Sequence, residues 1–328
     1  YFRMSQARRT YLEVRWKAYG FDTKLKQIIG FYQISTKIAK VYVVNFPSSV
    51  SNMFSFWELA ISFGMDVTTP FECLGAHSYE SRLEFWLYAP IVLVVVIFLA
   101  GIAHKRFQIR EGFLWSLPYV FKMMFMIFTI VNLRAFEAFN CHEFDEDPND
   151  SWLIVDAAVQ CNTPEHDRIM STAWLAIYIY PIGWTAFTAL MLWSIRKTMW
   201  GTRRPNEMNH ALSFVYKDYK PLYYWWELCE MLRRFLLVGY LSNFARGSIT
   251  QISLATLFCI VYLVIQLQAM PFQRSADGYL AMACTAGLAI LFISGIVFKI
   301  EFLTDTEEVA NMLTPRLKEI FVIPVDML

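Results

Sequence analysis

The chain has 328 residues, of which 56% are hydrophobic and only 17% are charged, with a formal net charge of +1. Soluble domains carry about 25% charged residues, so this composition excludes an ordinary water-soluble globular domain. Aromatic residues reach 17%, as expected where rings pack against lipid tails and headgroups. The first residue is Tyr1 and no secretory signal pattern opens the sequence, so we expect it to be part of a larger polypeptide. The predicted fold class is an all-α, polytopic integral membrane helical bundle.

The predicted elements begin with a basic segment, residues 1–25, which we expect to be cytoplasmic, and a first candidate span, residues 26–46. Gln33, Lys37 and Lys40 interrupt this span at i, i+4 and i+7, so they share one helix face. The segment is either a span whose polar face meets protein or water, or an amphipathic helix at the membrane interface. Apolar residues at helical spacing in residues 48–64 predict a further interfacial or re-entrant helix.

Six other apolar segments have about the 20 residues that a helix needs to cross a bilayer. They cover residues 83–104, 113–136, 171–195, 225–244, 249–270 and 279–298. With residues 26–46 they predict about seven spans in one transmembrane domain, residues 26–300. Residues 301–328 are predicted to be an extracytoplasmic segment that begins a further span.

The sign of charge differs between the loops. Lys and Arg cluster in residues 1–26, 104–112 and 196–220, which a seven-span count places on one side, predicted to be cytoplasmic. The loop of residues 137–170 faces the other way and is acidic. It contains two cysteines and the glycosylation sequon at Asn149, and both a disulfide and a glycan belong on a lumenal or extracellular face.

Three cysteines fall on that side: Cys73, Cys141 and Cys161. Three cysteines allow three alternative disulfide pairings. The Cys141–Cys161 bridge is the preferred one. His142 with Glu143 and Asp145 could bind a metal, but a solvated acidic loop is the better interpretation. The sequence carries no HExxH, GxSxG or Walker lysine motif, so we expect no enzyme activity, no cofactor and no nucleic-acid partner.

The main candidate site is a group of charges in the predicted span 225–244. Glu227, Glu230 and the pair Arg233/Arg234 repeat at i, i+3 and i+6/i+7, so they lie along one helix face. A charge inside a span costs about 2.5–3.5 kcal/mol on insertion scales, so each needs a partner or a watery cavity. Further polar residues could complete this interior: Lys122, Lys37, Lys40 and Gln33. The group is either a structural ion-pair network or a cation site or gating network.

A more specific pattern lies in residues 213–272. A Tyr-x-Asp-Tyr-x-Pro segment leads into an aromatic-rich span with Glu and Arg, then a Gly-Ser…Gln turn, then a span that ends in Pro-Phe. The positions are Tyr216, Asp218, Tyr219, Pro221, Trp226, Glu227, Glu230, Arg233, Arg234, Gly247, Ser248, Gln251, Pro271 and Phe272. This stretch, together with residues 24–74, resembles the transmembrane module of the TRP-like families of fungi and protists, including the polycystin-like membrane regions of large protist proteins.

The resemblance implies a cation-channel-like fold, usually attached to a large extracellular region of the same chain. The expected partners are membrane lipids, cations such as calcium, and further copies of the chain; the expected location is the plasma or ciliary membrane. The turn of residues 243–248 departs from the channel pattern, because it is too short to hold a pore helix. We therefore predict a TRP-like cation channel or channel-like sensor subunit. The alternatives are a non-conducting anchor for an extracellular assembly and a seven-helix receptor.

Overall fold

The computed structural model describes residues 15, 19–62, 78–143, 151–201 and 207–304. These residues form a predominantly helical bundle, and five of the helices are long and apolar enough to cross a membrane. The predicted class of helical membrane protein is therefore confirmed at this level. The sequon at Asn149 and Cys73 lie outside the described residues, as do most of residues 1–25 and nearly all of residues 301–328.

The N-terminal half holds five helices and a hairpin. The helices are α1 (Phe21–Ser35), α2 (Ile38–Tyr42), α3 (Ser48–Ser62), α4 (Tyr79–His104) and α5 (Ile109–Glu137). Strand β1 (Cys141–Glu143) pairs antiparallel with β2 (Ser151–Leu153). The helix predicted within residues 48–64 is thus present as α3, where Trp57 stacks on Tyr32 of α1 at 4.4 Å between ring centroids.

The C-terminal half holds the remaining elements. The first candidate span there, Pro164–Met199, consists of α6 (Pro164–Ile177), a π-helix (Tyr178–Trp184) and α7 (Thr185–Met199). Short helices follow: α8 (Glu207–Ala211), α9 (Ser213–Tyr216) and a 3-10 turn (Pro221–Tyr223). Then come α10 (Trp226–Arg234), a second π-helix (Phe235–Gly239), a 3-10 turn (Tyr240–Asn243), α11 (Ile249–Ala269) and α12 (Ser275–Thr304).

Two of the seven predicted spans are not among the five helices long and apolar enough to cross a membrane, so a count of seven is not confirmed. The span predicted at residues 26–46 is interrupted between α1 and α2, where the Thr36 hydroxyl donates to the Tyr32 carbonyl at 2.8 Å. The span predicted at residues 225–244 divides into α10, the π-helix and the 3-10 turn. Side-chain hydroxyls accommodate this second break: Tyr42 donates to the Leu237 carbonyl at 2.8 Å and Ser242 donates to the Gly239 carbonyl at 2.6 Å.

The interrupted segment α1–α2 runs beside α12 over most of its length. Lys24 of α1 forms an ion pair with Asp277 at the start of α12, at 2.9 Å. Near the other end, the Lys299 ammonium donates to the carbonyls of Tyr42 and Val43, at 2.7 and 3.2 Å. A cation at the C-terminal carbonyls of a helix is favourable because it faces the negative end of the helix dipole.

The apolar core forms where these segments meet. One cluster joins α1, α2, the second π-helix, α11 and α12 through Ile34, Ile38, Val41, Leu237, Ile252, Leu288 and Phe292. A second cluster packs α4 and α6 against α5 through Trp86, Leu87, Met124, Ile127 and Ala176. Helix α5 contributes to both this cluster and the one around α7–α9, so it is central in the bundle.

The start of α11 ties three segments together. Ser248 caps the helix, accepting a hydrogen bond from the Gln251 backbone N–H at 3.1 Å. The Gln251 amide oxygen accepts from the Gly247 N–H at 2.9 Å, as in a capping box, and Gly247 has the positive φ (74°) that favours glycine. The Gln251 amide nitrogen donates to the carbonyls of Val41 and Leu241. The Gly-Ser…Gln pattern of the sequence therefore fixes this turn.

The hairpin is held by the predicted disulfide. Cys141 and Cys161 are bonded, with their Cα atoms 6.4 Å apart. The pairing preferred from the sequence is therefore confirmed.

Candidate functional site: a buried ionic network

The charged residues of α10 lie inside the protein. Glu227 is 5% exposed, Arg233 7% and Arg234 3%. The Glu230 carboxylate is also largely buried. With Lys26 of α1 these four side chains form a set that we call the buried ionic network.

Glu227 is the centre of this network. One of its carboxylate oxygens forms an ion pair with the Lys26 ammonium at 2.7 Å and accepts a hydrogen bond from the Tyr219 hydroxyl at 2.9 Å. Its other oxygen contacts the Arg234 guanidinium at 3.2 Å. Two cations therefore share one carboxylate, and this shared contact joins α1 to α10.

Glu230 and Arg233 form the second pair of the network, at 2.5 Å. The Tyr262 hydroxyl of α11 donates to Glu230 at 2.8 Å. Arg233 donates to the Thr285 hydroxyl of α12 at 3.0 Å, and Thr285 in turn donates to the Gln266 amide oxygen at 2.8 Å. This pair therefore connects α10 to both of the last two spans.

Gln33 links the network to the central helix. Its amide nitrogen donates to the carbonyls of Phe125 and Met126 in α5, at 3.1 and 3.3 Å. Its amide oxygen accepts from Arg234 at 3.4 Å. The Arg234 guanidinium also lies 4.6 Å from the centre of the Phe125 ring, a cation–π contact. Gln33, a sequence candidate, is thus part of the same site.

Lys26 is not among the sequence candidates, although it is the first residue of the predicted span 26–46. Its ammonium contacts Glu227, lies 3.7 Å from Asp218, and donates to the Phe214 carbonyl at 3.0 Å. The signal was present in the sequence: Lys26 precedes Gln33 by seven residues and therefore shares the face of Gln33, Lys37 and Lys40.

The three lysines expected to pair with these carboxylates do not do so. Lys37 pairs with Glu58 at 2.6 Å and Lys40 with Glu137 at 2.7 Å. Both lysines follow the end of α1, about three turns from Lys26, so they reach the opposite end of the bundle. Lys122 is exposed on α5 and lies outside the network.

The Tyr-x-Asp-Tyr-x-Pro and Pro-Phe segments of the sequence pattern pair with each other. Tyr219 and Phe272 form a β-bridge, the Lys220 N–H donates to the Pro271 carbonyl at 2.8 Å, and the Gln273 N–H donates to the Asp218 carbonyl at 3.0 Å. This pairing holds the Tyr219 hydroxyl against Glu227. Burial, followed by the nearby Glu227 charge, raises the pKa of Tyr219 well above its usual value, so the hydroxyl stays a donor.

A cavity of about 30 Å³ adjoins the network, lined in part by Thr23, Gly30 and Cys284. That volume holds one or two water molecules. It is too small for a hydrated ion. A cation could bind to Glu227 or Glu230 only by displacing Lys26, Arg233 or Arg234 from them.

Groupings of metal-ligand type lie elsewhere. Cys141, Cys161 and His166 come within 4.8 Å of one another, but both sulfurs are used in the disulfide. The predicted grouping of His142 with Glu143 and Asp145 cannot be placed, since Asp145 and the Glu143 side chain lie outside the described residues.

The fold and the network define a helical integral membrane protein with charges paired in its interior. Comparisons with protein-family models, with curated proteins and with solved structures find no match to this chain.

Proposed function

We propose that this protein is a TRP-like cation channel or channel-like sensor subunit in which the buried ionic network controls a conformational change. One observation carries the proposal. The Lys26–Glu227–Arg234 contacts, at 2.7 and 3.2 Å, join α1 to α10 where α10 gives way to a π-helix. In this proposal α1–α2 and residues 226–243 are the two spans that bring the bundle to seven.

The energetic cost of the network supports a role beyond folding. Replacing a buried ion pair by well-packed apolar residues of similar volume is often neutral or stabilising, so stability alone is a weak reason to keep one. Ionisable groups within membrane segments are functional candidates by default because they are costly there. Here five such groups lie together in contact with α5, α11 and α12.

The surroundings of the network also suit a switch. Short π-helices often occur at functional sites, and the one at Phe235–Gly239 directly follows Arg234. Lys26 has a second carboxylate, Asp218, at 3.7 Å, so a small shift of α1 would let it change partners. Exchange between two sets of ion pairs is a common basis of two-state transitions. In this proposal the described conformation, with a cavity of only about 30 Å³ beside the network, is the closed state.

The alternative function is a non-conducting membrane anchor. It is favoured by the pairing of Glu227 and Glu230, each of which contacts a cation and a tyrosine hydroxyl. In that case the same contacts would serve only to hold the spans together.

Cation flux into liposomes separates these two functions. The test uses the wild-type chain and Tyr219→Phe, which removes one 2.9 Å hydrogen bond to Glu227 without removing a charge. A hydrogen bond to a charged group is worth about 1.5–3 kcal/mol, so a channel should change its open fraction about tenfold or more. Tyr279→Phe, at a tyrosine 61% exposed, is the matched control and should leave flux unchanged.

The outcomes are distinct. Calcium or monovalent-cation flux that changes in Tyr219→Phe but not in Tyr279→Phe supports the channel. Absence of flux under membrane tension in all three proteins, with Tyr219→Phe merely less stable to heat, supports the anchor.

A further inference from the structure

A second group of charged side chains surrounds a larger cavity at the end of the bundle that carries the disulfide. The cavity has a volume of about 380 Å³. Leu133, Ile154 and Val155 form its apolar wall. Its charged lining residues are Lys37, Lys40, Glu58, Arg82, Arg134 and Arg246. We call this site the basic vestibule.

Positive charge exceeds negative charge in the basic vestibule. Among the described residues that line it, five side chains are cationic and one, Glu58, is a carboxylate. The nearby Glu137 contacts two of the cations, Lys40 at 2.7 Å and Arg134 at 3.1 Å. These seven groups therefore sum to a charge of +3. The excess lies at the disulfide-bearing end, which is the end where membrane proteins carry fewer Lys and Arg residues near their spans.

Arg246 supplies the vestibule with a buried donor that makes no hydrogen bond within the described part of the chain. It lies in the turn before α11, partly buried. Its Nη1 atom is buried and has no hydrogen-bond partner among the residues that the structure describes. Burial lowers the pKa of Arg246, against the opposing effect of Glu137. A buried donor without an acceptor costs free energy that a bound anion would offset.

Arg82 repeats this pattern on a different element. It lies in the first turn of α4, and within the described part of the chain its buried Nε has no hydrogen-bond partner either. Arg134 comes from the last turn of α5. Three guanidinium groups from three separate elements thus face one cavity. This arrangement suits an oxyanion, because a guanidinium group binds phosphate oxygens through two parallel N–H donors.

We propose that the basic vestibule binds a phosphate-bearing anion, either the headgroup phosphate of a lipid or a soluble phosphoanion. Its volume is in the range of small-molecule sites, about 300–1,000 Å³. Lys37 and Lys40 add positive charge to the lining, and the apolar wall suits the non-phosphate part of the ligand. This inference does not depend on the function proposed for the buried ionic network.

Thermal unfolding of the full chain in a neutral detergent, followed by tryptophan fluorescence, tests the site. The probes are inorganic pyrophosphate and dioctanoyl phosphatidic acid, each titrated at constant ionic strength against chloride. Ligand that binds only the folded state raises the unfolding temperature in a saturable way. Arg246→Gln should weaken the apparent affinity about tenfold or more, as expected for loss of one hydrogen bond to a charged group. Arg82→Gln should do likewise.

Arg110→Gln, at an exposed arginine of α5 near the opposite end, is the matched control and should bind like the wild type. Arg246→Lys keeps the charge and should fall between the wild type and Arg246→Gln. Saturable binding of both probes supports a soluble phosphoanion, and binding of the lipid alone supports a headgroup. Absence of binding, or equal losses in Arg246→Gln and Arg110→Gln, would overturn the proposal.

Discussion

The buried ionic network and the basic vestibule contain similar residues but differ in charge balance. In the network the three cations face Glu227, Glu230 and the adjoining Asp218, which lies 3.7 Å from Lys26, so the charges balance. In the vestibule five cations face two carboxylates. Because an uncompensated charge needs a counter-ion when water is scarce, the balanced group can hold helices together while the unbalanced group attracts a ligand.

The two groups also differ in what surrounds them. The network adjoins a cavity of about 30 Å³ and the vestibule encloses about 380 Å³. Loss of a charge from the network therefore leaves its partners buried, whereas loss of a charge from the vestibule leaves its neighbours beside open space. The comparison predicts large stability effects in the first and small ones in the second.

The largest effect is expected for Glu227→Gln. This substitution leaves Lys26 and Arg234, whose side chains are 10% and 3% exposed, without their shared carboxylate. Removing one partner of a buried ion pair costs about 3–5 kcal/mol, so the free energy of unfolding should fall by that amount. Denaturant-induced unfolding in detergent, followed by tryptophan fluorescence, measures the change.

The control for this prediction is Glu84→Gln, at an exposed glutamate of α4, which should change stability by less than about 0.5 kcal/mol. The double variant Lys26→Met/Glu227→Gln should recover part of the loss, because it removes one of the unpaired cations. Equal stabilities of Glu227→Gln and Glu84→Gln would show that the network is not holding the helices together.

A smaller loss is expected when the disulfide is removed. Cys141 and Cys161 close a loop of 20 residues, and a loop of that length contributes about 3 kcal/mol when cross-linked. The Cys141→Ser/Cys161→Ser variant should therefore unfold more readily. Hydrogen exchange should increase around Ile154 and Val155 in the vestibule wall and stay unchanged in α10. Increased exchange in α10 as well would mean that the two regions are coupled.

Much of the fold follows from the sequence where apolar runs are long and uniform. The runs at residues 83–104, 113–136, 171–195, 249–270 and 279–298 coincide with the five candidate spans, with Met270 one residue beyond its helix, and the disulfide was also predicted. The breaks within residues 26–46 and 225–244 were not predicted, because a hydropathy pattern averages over about 20 residues. Such an average does not show that the Tyr42 hydroxyl donates a hydrogen bond to the Leu237 carbonyl of the second π-helix.

The site was predictable in part for a related reason. Helical periodicity placed Glu227, Glu230, Arg233 and Arg234 on one face, but it gives no contact between segments distant in sequence. The Lys26–Glu227 pair joins residues 201 positions apart. Which lysine contacts Glu227 depends on the position of α1 along the bundle axis, which the sequence does not give. The vestibule could not be found at all, since its cations come from α2, α4, α5 and a turn that no sequence pattern groups.

The smallest effect on stability is expected for Arg246→Gln. Its size distinguishes a structural role of Arg246 from a role in ligand binding. Because the buried Nη1 has no hydrogen-bond partner among the described residues and the other six charged groups sum to +2, removal of this charge should change the free energy of unfolding by less than about 0.5 kcal/mol in phosphate-free buffer. The matched substitution Arg234→Gln, in the network, should cost about 3 kcal/mol or more. If the two variants lost similar stability, Arg246 would be a structural residue like Arg234. A small loss in Arg246→Gln alone would leave ligand binding as the reason for concentrating positive charge at this end of the bundle.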